Sequence, residues 1–402
     1  MEQKATIRNL KDIKNKRVFL RVDHNVPQDD AGAITDDTRI VESLNTIKYC
    51  IDKGAKIILC SHLGRPKSKG DKKFSMKPIV ERLQTYLPKV KITLVPDCIG
   101  SVVEKAIDGL KGGEIVYLEN IRYYEEETAN DPKFAEKLSE LCDYYVNDAF
   151  GAAHRAHAST EGIAHYRSAV AGFLMEKEIK ILGEAIDNPK RPLTIIFGGK
   201  KISDKIGVLE NLLKIANNIL IGGGMAYTFA KAAGGTIGNS VVDNESLDYC
   251  TQLLKRAKDK KVNLVVAHDC IVGDKFGPDA ATRICDTDKI RDGWEGFGIG
   301  PDTVARFKPI IAESGTIIWC GPLGAFEVEK FAEGSREVAN AVVASKAITI
   351  AGGGDTAAMM AKLGVGDKFT HISTGGGASL ELLEGKNLPG IDILLSNEMK
   401  EI

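Results

Sequence analysis

The sequence predicts an α/β protein built as two doubly wound, parallel-sheet (Rossmann-like) domains joined by a hinge helix. Three observations carry this. Nine short Val/Ile-rich apolar runs, each closed by a Gly, Asp, Asn or His and followed by a longer helix-like stretch, recur along the chain, as strands buried on both faces do in βαβ units. Nine such units are too many for one core, which stops growing at about 250–300 residues, and the chain has 402. One stretch with helical apolar spacing lies between the first four runs and the last five.

In chain order, the first-half runs are Arg17–Val22, Lys56–Cys60, Glu114–Leu118 and Asp143–Val146. The connecting stretch starts at Ala171-Gly172-Phe173-Leu174, keeps its helical spacing through Ile179, Ile181 and Leu182, and ends near Asn188-Pro189. The second-half runs are Leu193–Phe197, Asn218–Ile221, Val262–Ala267, Thr316–Trp319 and Ala347–Ile350. The expected division is a first domain over 1–170, a connecting helix over 171–186 and a second domain over 187–387.

Charge and composition narrow the function. Lys and Arg number 54 against 55 Asp and Glu, for a net charge of −1, with 43% hydrophobic and 27% charged residues. That is the composition of a folded globular protein, and the even balance argues against nucleic acid as the partner. No run of about 18 apolar residues occurs, so no membrane partner is expected. The opening Met1-Glu2-Gln3-Lys4 lacks the apolar segment of a secretory leader, which makes the cytoplasm the expected location. The eight cysteines form no C-x-x-C pair, and several interrupt apolar runs; they read as reduced and mostly buried, without a zinc or disulfide framework. Of 41 glycines, 31 follow residue 170, whereas five of the seven histidines precede it. The two halves carry different chemistry.

Ligands of open parallel sheets bind beyond the carboxyl ends of the strands. In the first half those ends carry Asp23 and Asn25, Ser61-His62-Leu63-Gly64-Arg65, Glu119-Asn120-Ile121-Arg122, and Asn147-Asp148 leading to His154-Arg155-Ala156-His157, with Arg39 in addition. The planar fork of arginine matches carboxylate and phosphate. Arg39, Arg65, Arg122 and Arg155 together suit a small, multiply anionic ligand better than four separate surface ion pairs. Taken singly, His62 is as consistent with a structural histidine, and Asp23 with an aspartate that orders its loop.

The second-half ends are Gly198-Gly199-Lys200-Lys201, Gly222-Gly223-Gly224, Gly321-Pro322-Leu323-Gly324, Gly352-Gly353-Gly354-Asp355-Thr356 and Thr374-Gly375-Gly376-Gly377. Glycine lets backbone amides approach phosphate oxygens at a helix start. One triple-glycine turn is explained by conformation alone, but several with a Gly-Gly-Lys-Lys loop point to a nucleotide. Asp355 is a hard oxygen donor of the kind Mg²⁺ uses beside phosphates. Lys201 and Lys205 share a helix face if Ser203 opens a helix; otherwise they are a solvated basic surface. No G-x-x-x-x-G-K-[ST] is present, and no G-x-G-x-x-G opens a βαβ unit.

Over nearly its full length the chain closely resembles phosphoglycerate kinase. The motifs are Arg21-Val22-Asp23-His24-Asn25-Val26-Pro27, Ser61-His62-Leu63-Gly64-Arg65-Pro66, Leu118-Glu119-Asn120-Ile121-Arg122, and Asn147-Asp148-Ala149-Phe150-Gly151 through His154-Arg155-Ala156-His157. They continue with Ser203-Asp204-Lys205-Ile206, Ile221-Gly222-Gly223-Gly224, Gly352-Gly353-Gly354-Asp355-Thr356 and Ser373-Thr374-Gly375-Gly376-Gly377 through Leu388-Pro389-Gly390. The resemblance implies a glycolytic kinase, usually monomeric, that moves a phosphoryl group reversibly between 1,3-bisphosphoglycerate and ADP, giving 3-phosphoglycerate and ATP, with Mg²⁺ and with hinge closure of the domains.

By motif, the first domain would bind 3-phosphoglycerate through Asp23, His24, Asn25, Arg39, His62, Leu63, Gly64, Arg65, Arg122 and Arg155. The nucleotide would lie on Lys201, Lys205, Gly223, Gly224, Gly296, Gly321, Leu323, Glu327, Gly353, Gly354, Asp355 and Thr356, with Asp355 on the metal. Arg39, Lys201, Lys205, Gly353 and Gly354 would serve the transfer itself, and a tail of Leu388–Ile402 would pack back on the first domain. Three positions depart from the family pattern: Lys200 where Ala is common, Gly298 where Asp is usual, and Cys320 where Asn is usual. They motivate an alternative, a catalytically impaired nucleotide-binding paralogue with a regulatory role. A kinase for another small acid, such as acetate or carbamate, is a further alternative.

Overall fold

The computed structural model describes residues 2–397. Its contacts divide the chain into two compact units: residues up to 180 together with those from 387 on, and residues 181–386.

The first unit holds six strands: β1 (Arg17–Arg21), β2 (Lys56–Cys60), β3 (Ile92–Leu94), β4 (Ile115–Tyr117), β5 (Tyr144–Asn147) and β6 (Ala169–Ala171). They form one sheet in the order β3-β4-β2-β1-β5-β6, every pair parallel. Helices cover both faces, so Val18, Phe19, Leu20, Ile57, Ile58 and Leu59 are fully buried, which is why these strands read as continuous apolar runs. Two strands went unread. β3 is a three-residue, partly exposed edge strand, and β6 is an Ala-Val-Ala segment without a β-branched run.

Strand β6 corrects the expected start of the connecting helix. Ala171 pairs with Asn147 in the sheet, and the helix spans Phe173–Asp187. Its first amides, at Leu174 and Met175, donate to Asp148 Oδ1 at 2.9 and 3.1 Å. Burial raises the Asp148 carboxyl to about 6. The strand-end Asp148 therefore caps this helix and faces no ligand. Near its C-terminus the chain returns to the first unit, where Ala5 N–H donates to Leu395 O at 2.8 Å and Leu395 N–H to Ala169 O at 3.0 Å. Asn147 Nδ2 donates to Gly390 O at 3.2 Å. Residues 398–402 of the expected tail lie outside the described residues.

The second unit holds β7 (Leu193–Phe197), β8 (Asn218–Ile221), β9 (Thr236–Ile237), β10 (Asn263–Val266), β11 (Asp269–Gly273), β12 (Thr282–Asp286), β13 (Lys289–Ile290), β14 (Glu295–Ile299), β15 (Thr316–Cys320), β16 (Ile348–Gly352) and β17 (His371–Ile372). The main sheet is parallel, ordered β10-β8-β7-β15-β16-β17, and a three-stranded antiparallel sheet, β12-β11-β14, lies outside it. The small sheet escaped the sequence because its strands mix Asp, Thr and Arg with apolar residues and leave β12 largely exposed.

In each parallel sheet the strand order reverses once, and a crevice opens between the strands whose connections leave in opposite directions. In the first sheet this falls between β1 and β5, in the second between β7 and β15. Among the described residues no helix is long and apolar enough to cross a membrane.

Candidate active site

The first unit gathers its cations at the β1/β5 end of the sheet. Arg21, the last residue of β1, is fully buried. Its Nε donates to Ser159 Oγ at 2.8 Å and its Nη2 lies 3.2 Å from His62 Nδ1, while Nη1 donates to Val22 O. Ser159 is held in turn by the fully buried Glu127, donating Oγ–H to Oε1 at 2.7 Å and N–H to Oε2 at 2.8 Å. Burial raises the Glu127 carboxyl, with Arg21 opposing that rise.

Around this anchor, Arg39 Nη1 donates to Asp23 Oδ2 at 2.8 Å and to Asn25 O at 3.3 Å. Asn25 Oδ1 accepts from Gly64 N–H at 2.8 Å. Arg122 rides on a short turn capped by Asn120, whose Oδ1 accepts the Arg122 amide at 3.1 Å, and its Nη1 donates to Gly64 O at 2.9 Å. The buried Arg122 Nε has no acceptor. Gly64 has φ +58°, and a Cβ there would stand 2.2 Å from the Phe74 ring, so only glycine turns the chain between Asn25 and Arg122.

Burial and crowded cations shape the charges at this end of the sheet. Burial and the neighbouring Arg21 and Arg155 push Arg122 down to about 10. Burial, then Arg21, Arg122 and Arg39, hold His62 well below its ordinary range, and burial with Arg122, Arg21 and Arg155 puts His157 at about 4. These imidazoles are neutral at pH 7 first because burial disfavours the charged ring and then because cations surround it.

Of the expected first-unit residues, the structure brings Asp23, Asn25, Arg39, His62, Gly64 and Arg122 together, and Arg155 joins through its repulsion of Arg122 and His157. Arg65 is exposed beside them. Leu63 is buried and contributes through its backbone, whose N–H and C=O bond Asn120 at 3.2 and 2.8 Å. His24 must be corrected as a side-chain ligand. Its ring is fully buried between Tyr117 Oη and Ser43 Oγ, both at 2.8 Å, and burial puts it at about 3. Both ring nitrogens are taken, so His24 acts through the fold.

In the second unit the β7/β15 crevice is lined by backbone. A Cβ on Gly198 would stand 2.1 Å from Pro322 O, and one on Gly321 2.3 Å from Gly198 O. Gly223, at φ +64°, opens the helix Gly224–Ala232, and Gly353, at φ +95°, opens the helix Gly354–Lys362. No atom lies within 4 Å of a Cβ placed on Gly354, which leaves that helix start open to an anion. Asp355 is exposed in its first turn. Thr356 is buried and ties the loops together, donating Oγ1–H to Gly352 O and accepting Gly321 N–H, both at 2.7 Å. Leu323 is buried against Gly222, the Tyr227 ring packs on Gly296, and Glu327 is exposed.

Lys205 Nζ lies 3.2 Å from where a Cβ of Gly199 would stand. Ser203–Lys205 is a 3-10 turn before the helix Ile206–Leu212, and Lys201 precedes both. The expectation of one helix face carrying both lysines is therefore corrected: Lys201 is an exposed loop residue. The three departures also find places. Lys200 faces Glu295, opposing the rise that burial gives its carboxyl. Gly298 sits against Phe331 O, 2.5 Å from where its Cβ would stand, so no aspartate fits this backbone. Cys320 is fully buried, and burial pushes its thiol to about 12 against the pull of Lys205. Sequence reasoning missed Arg21, Glu127 and Ser159; an Arg ending a buried strand was their only signal.

Known proteins resemble this chain over nearly its whole length. Residues 7–386 match the family model "Phosphoglycerate kinase". The chain is 52% identical over 384 residues to a cytosolic phosphoglycerate kinase of Triticum aestivum, covering 94% of this chain and 95% of that one. It is 51% identical over 394 residues to a phosphoglycerate kinase of Dictyoglomus turgidum, covering 97% and 99%. Its fold matches the structure of phosphoglycerate kinase from Coxiella burnetii with a TM-score of 0.87 at 40% identity, over 97% of this chain and 98% of that one.

Proposed function

The chain belongs to the phosphoglycerate kinase family, and on that premise we propose how its residues catalyse phosphoryl transfer between 1,3-bisphosphoglycerate and ADP. In the ATP-consuming direction, a carboxylate oxygen of 3-phosphoglycerate attacks the γ-phosphorus of ATP in line. The bond from that phosphorus to the β,γ-bridging oxygen breaks, leaving ADP and the acyl phosphate. The attacking carboxylate is already ionised near pH 7, so no base need take a proton; catalysis is alignment and charge neutralisation.

The observation that carries this reading is the cluster of Arg21, Arg39 and Arg122 around a neutral His62, with Arg155 close enough to act on Arg122. Arg122, Arg155, Arg65 and His62 hold the glycerate phosphate and carboxylate, and Asp23 and Asn25 face the hydroxyl side. Arg39 and Lys201 neutralise the equatorial oxygens of the transferring group. Lys205 and the amides at Gly223, Gly224, Gly353 and Gly354 hold the nucleotide phosphates, with Gly296, Gly321, Leu323, Glu327 and Thr356 shaping the nucleotide side. Arg39 belongs to one unit and Lys201 to the other, so transfer requires a hinge-closed conformation that brings both to one phosphoryl group and excludes water.

Among the described residues no three His, Cys, Asp or Glu side chains cluster as metal ligands. A lone exposed carboxylate at Asp355 fits a Mg²⁺ that keeps its waters and arrives on the nucleotide. When bound, that ion neutralises phosphate charge, and Asp355 is the residue to hold it. A monomer in the cytoplasm fits the same reading.

A coupled assay with ATP, Mg²⁺ and 3-phosphoglycerate tests it: ADP forms at a rate set by 3-phosphoglycerate. No ADP above background would return the chain to the impaired-paralogue reading, and equal turnover with acetate or carbamate would overturn the substrate.

A further inference from the structure

In the antiparallel β11/β12 pair, Cys270 stands directly opposite Cys285. The ladder continues past both ends, with Thr287 N–H donating to His268 O at 2.9 Å and Asp274 N–H to Ala281 O at 3.2 Å. Bonded pairs alternate along such a ladder, so these two bonds make 270/285 a hydrogen-bonded pair. Such pairs keep Cα atoms about 5.5 Å apart with both side chains on one face, inside the span of about 4.4–6.8 Å that a disulfide bridges, while their Cβ atoms, about 5.5 Å apart, must draw in to about 3.5–4.5 Å, which makes the bond strained and readily reduced. The two Sγ atoms lie 4.0 Å apart, and Cys270 Sγ points at Cys285 O, 3.6 Å away. Cys270 is buried, but Cys285 is half-exposed, so a reagent in solution reaches one member of the pair.

We propose that Cys270 and Cys285 form a reversible intrachain disulfide that weakens nucleotide binding. The Cys285 thiolate attacks a low-molecular-weight disulfide such as oxidised glutathione, forming a mixed disulfide and releasing one thiol. Cys270, giving up its proton, then attacks the Cys285 sulfur and expels the second thiol. The protein loses two electrons and two protons, and the small disulfide gains both as two thiols. Burial holds both protein thiols above their ordinary range, which slows the exchange without moving its endpoint.

The effect on nucleotide follows from packing. Cys270 shares a small core with Tyr227, Ile237, Val272 and Ile290, and a Cβ on Gly296 would stand 2.2 Å from the Tyr227 ring. Tyr227 lies on the helix that Gly223 opens. Closing the sulfurs to about 2.04 Å repacks the support of both Gly296 and that helix start. This half of the inference rests on assigning Gly223, Gly224 and Gly296 to the nucleotide; the disulfide itself does not.

The test equilibrates the full chain with mixtures of reduced and oxidised glutathione, counts free thiols, and maps cross-linked peptides by mass spectrometry. Expected are the loss of two of the eight thiols, a cross-link joining the Cys270 and Cys285 peptides, reversal by dithiothreitol, and no cross-link in Cys285→Ser or in the milder Cys270→Val. Calorimetry on the oxidised form should show ADP affinity lowered about threefold or more, with Cys285→Ser unaffected by the same treatment. Eight titratable thiols throughout, or only a glutathione adduct on Cys285, overturns the pair. A cross-linked protein with unchanged ADP affinity overturns the coupling, while turnover of the reduced enzyme reports separately on the kinase reading.

Discussion

Truncating Arg39 to alanine separates its part in the transferring state from its part in binding. Arg39 is 30% exposed and pinned by Asp23 Oδ2 at 2.8 Å and Asn25 O at 3.3 Å, so its guanidinium is placed before any ligand arrives. One charge-assisted donor lost from a water-excluded transition state costs about 2.7–4 kcal/mol, a fall in kcat of about 10²–10³. Arg21, Arg122 and Arg155 remain, so 3-phosphoglycerate affinity by calorimetry should fall less than about tenfold. Asp23, only 6% exposed, loses its cation and keeps the Asn25 amide at 3.2 Å. That costs about 1–3 kcal/mol of stability, or about 2–4 °C in Tm per kcal/mol for a unit of this size. The assay is coupled turnover at saturating substrates, with Arg39→Lys beside it to keep the charge and remove the fork. A variant that melts as expected yet keeps kcat within about threefold of the parent would make Arg39 merely the counter-ion of Asp23.

Three further substitutions and one titration extend the reasoning. Gly298→Ala sets a Cβ 2.5 Å from Phe331 O and should destabilise the second unit by about 1–3 kcal/mol in urea unfolding; an unchanged midpoint refutes that contact. Cys320→Asn replaces a weak thiol donor by an amide beside Lys205 and should tighten ADP binding by calorimetry, an unchanged affinity showing the departure neutral. Glu127→Gln weakens the hold on Ser159 and Arg21 and should raise KM for 3-phosphoglycerate about tenfold with KM for ATP unchanged; equal rises in both would mean general unfolding. In the titration, His24 at about 3, His157 at about 4 and His62 well below its ordinary range are neutral when folded, whereas unfolded each titrates near about 6.5. The unfolded chain thus binds more protons, and stability falls as pH drops from about 6.5 towards about 4, by up to about 1.4 kcal/mol per pH unit for each histidine. Asp148, raised to about 6, and Glu127, also raised, act oppositely, losing their contribution as pH rises through their folded values. His24→Asn should flatten the slope by one histidine in urea midpoints between pH 7 and 4.5, and an unaltered slope refutes the assignment.

What was legible in the sequence was what burial on two faces demands. β1, β2, β7, β8 and β15 show as unbroken apolar runs because helices cover both sides, and their carboxyl ends could be read for chemistry. β3, β6 and β17 were too short to carry a pattern, β12 is largely exposed and polar, and β11 and β14 are buried but mix Asp, Glu and Gly with short apolar stretches. The site divides likewise. His62 and Arg122 follow strands directly, so position gave them away. Arg21 closes a strand and looks like any terminal charge; its meaning depends on Ser159, 138 residues away, and on Glu127. His24 shows the converse, since its motif marks it as a site residue while Tyr117 and Ser43, brought in by other strands, turn its ring into the core.

On the proposed function, Arg21, Arg39, Arg122 and Arg155 in the first unit, against glycine turns in the second, are two ways to meet phosphate, and they differ most when empty. Guanidinium groups repel one another without a ligand, and that repulsion adds to burial in lowering Arg122 and His157. The fold tolerates it because Glu127 and Asp23 hold Arg21 and Arg39, and because His62 and His157 give up their protons. Backbone amides at Gly223 and Gly353 carry only partial charge, so they need no buried counter-ions of their own when vacant. A small acid that must be fixed at both its phosphate and its carboxylate gains from planar forks in a rigid frame. On the proposed function, a nucleotide whose phosphates must be gripped alike as ATP and ADP gains from amides that favour neither, as the glycine turns at Gly223 and Gly353 offer, while other glycines of the second unit, such as Gly298 and Gly334, serve close packing.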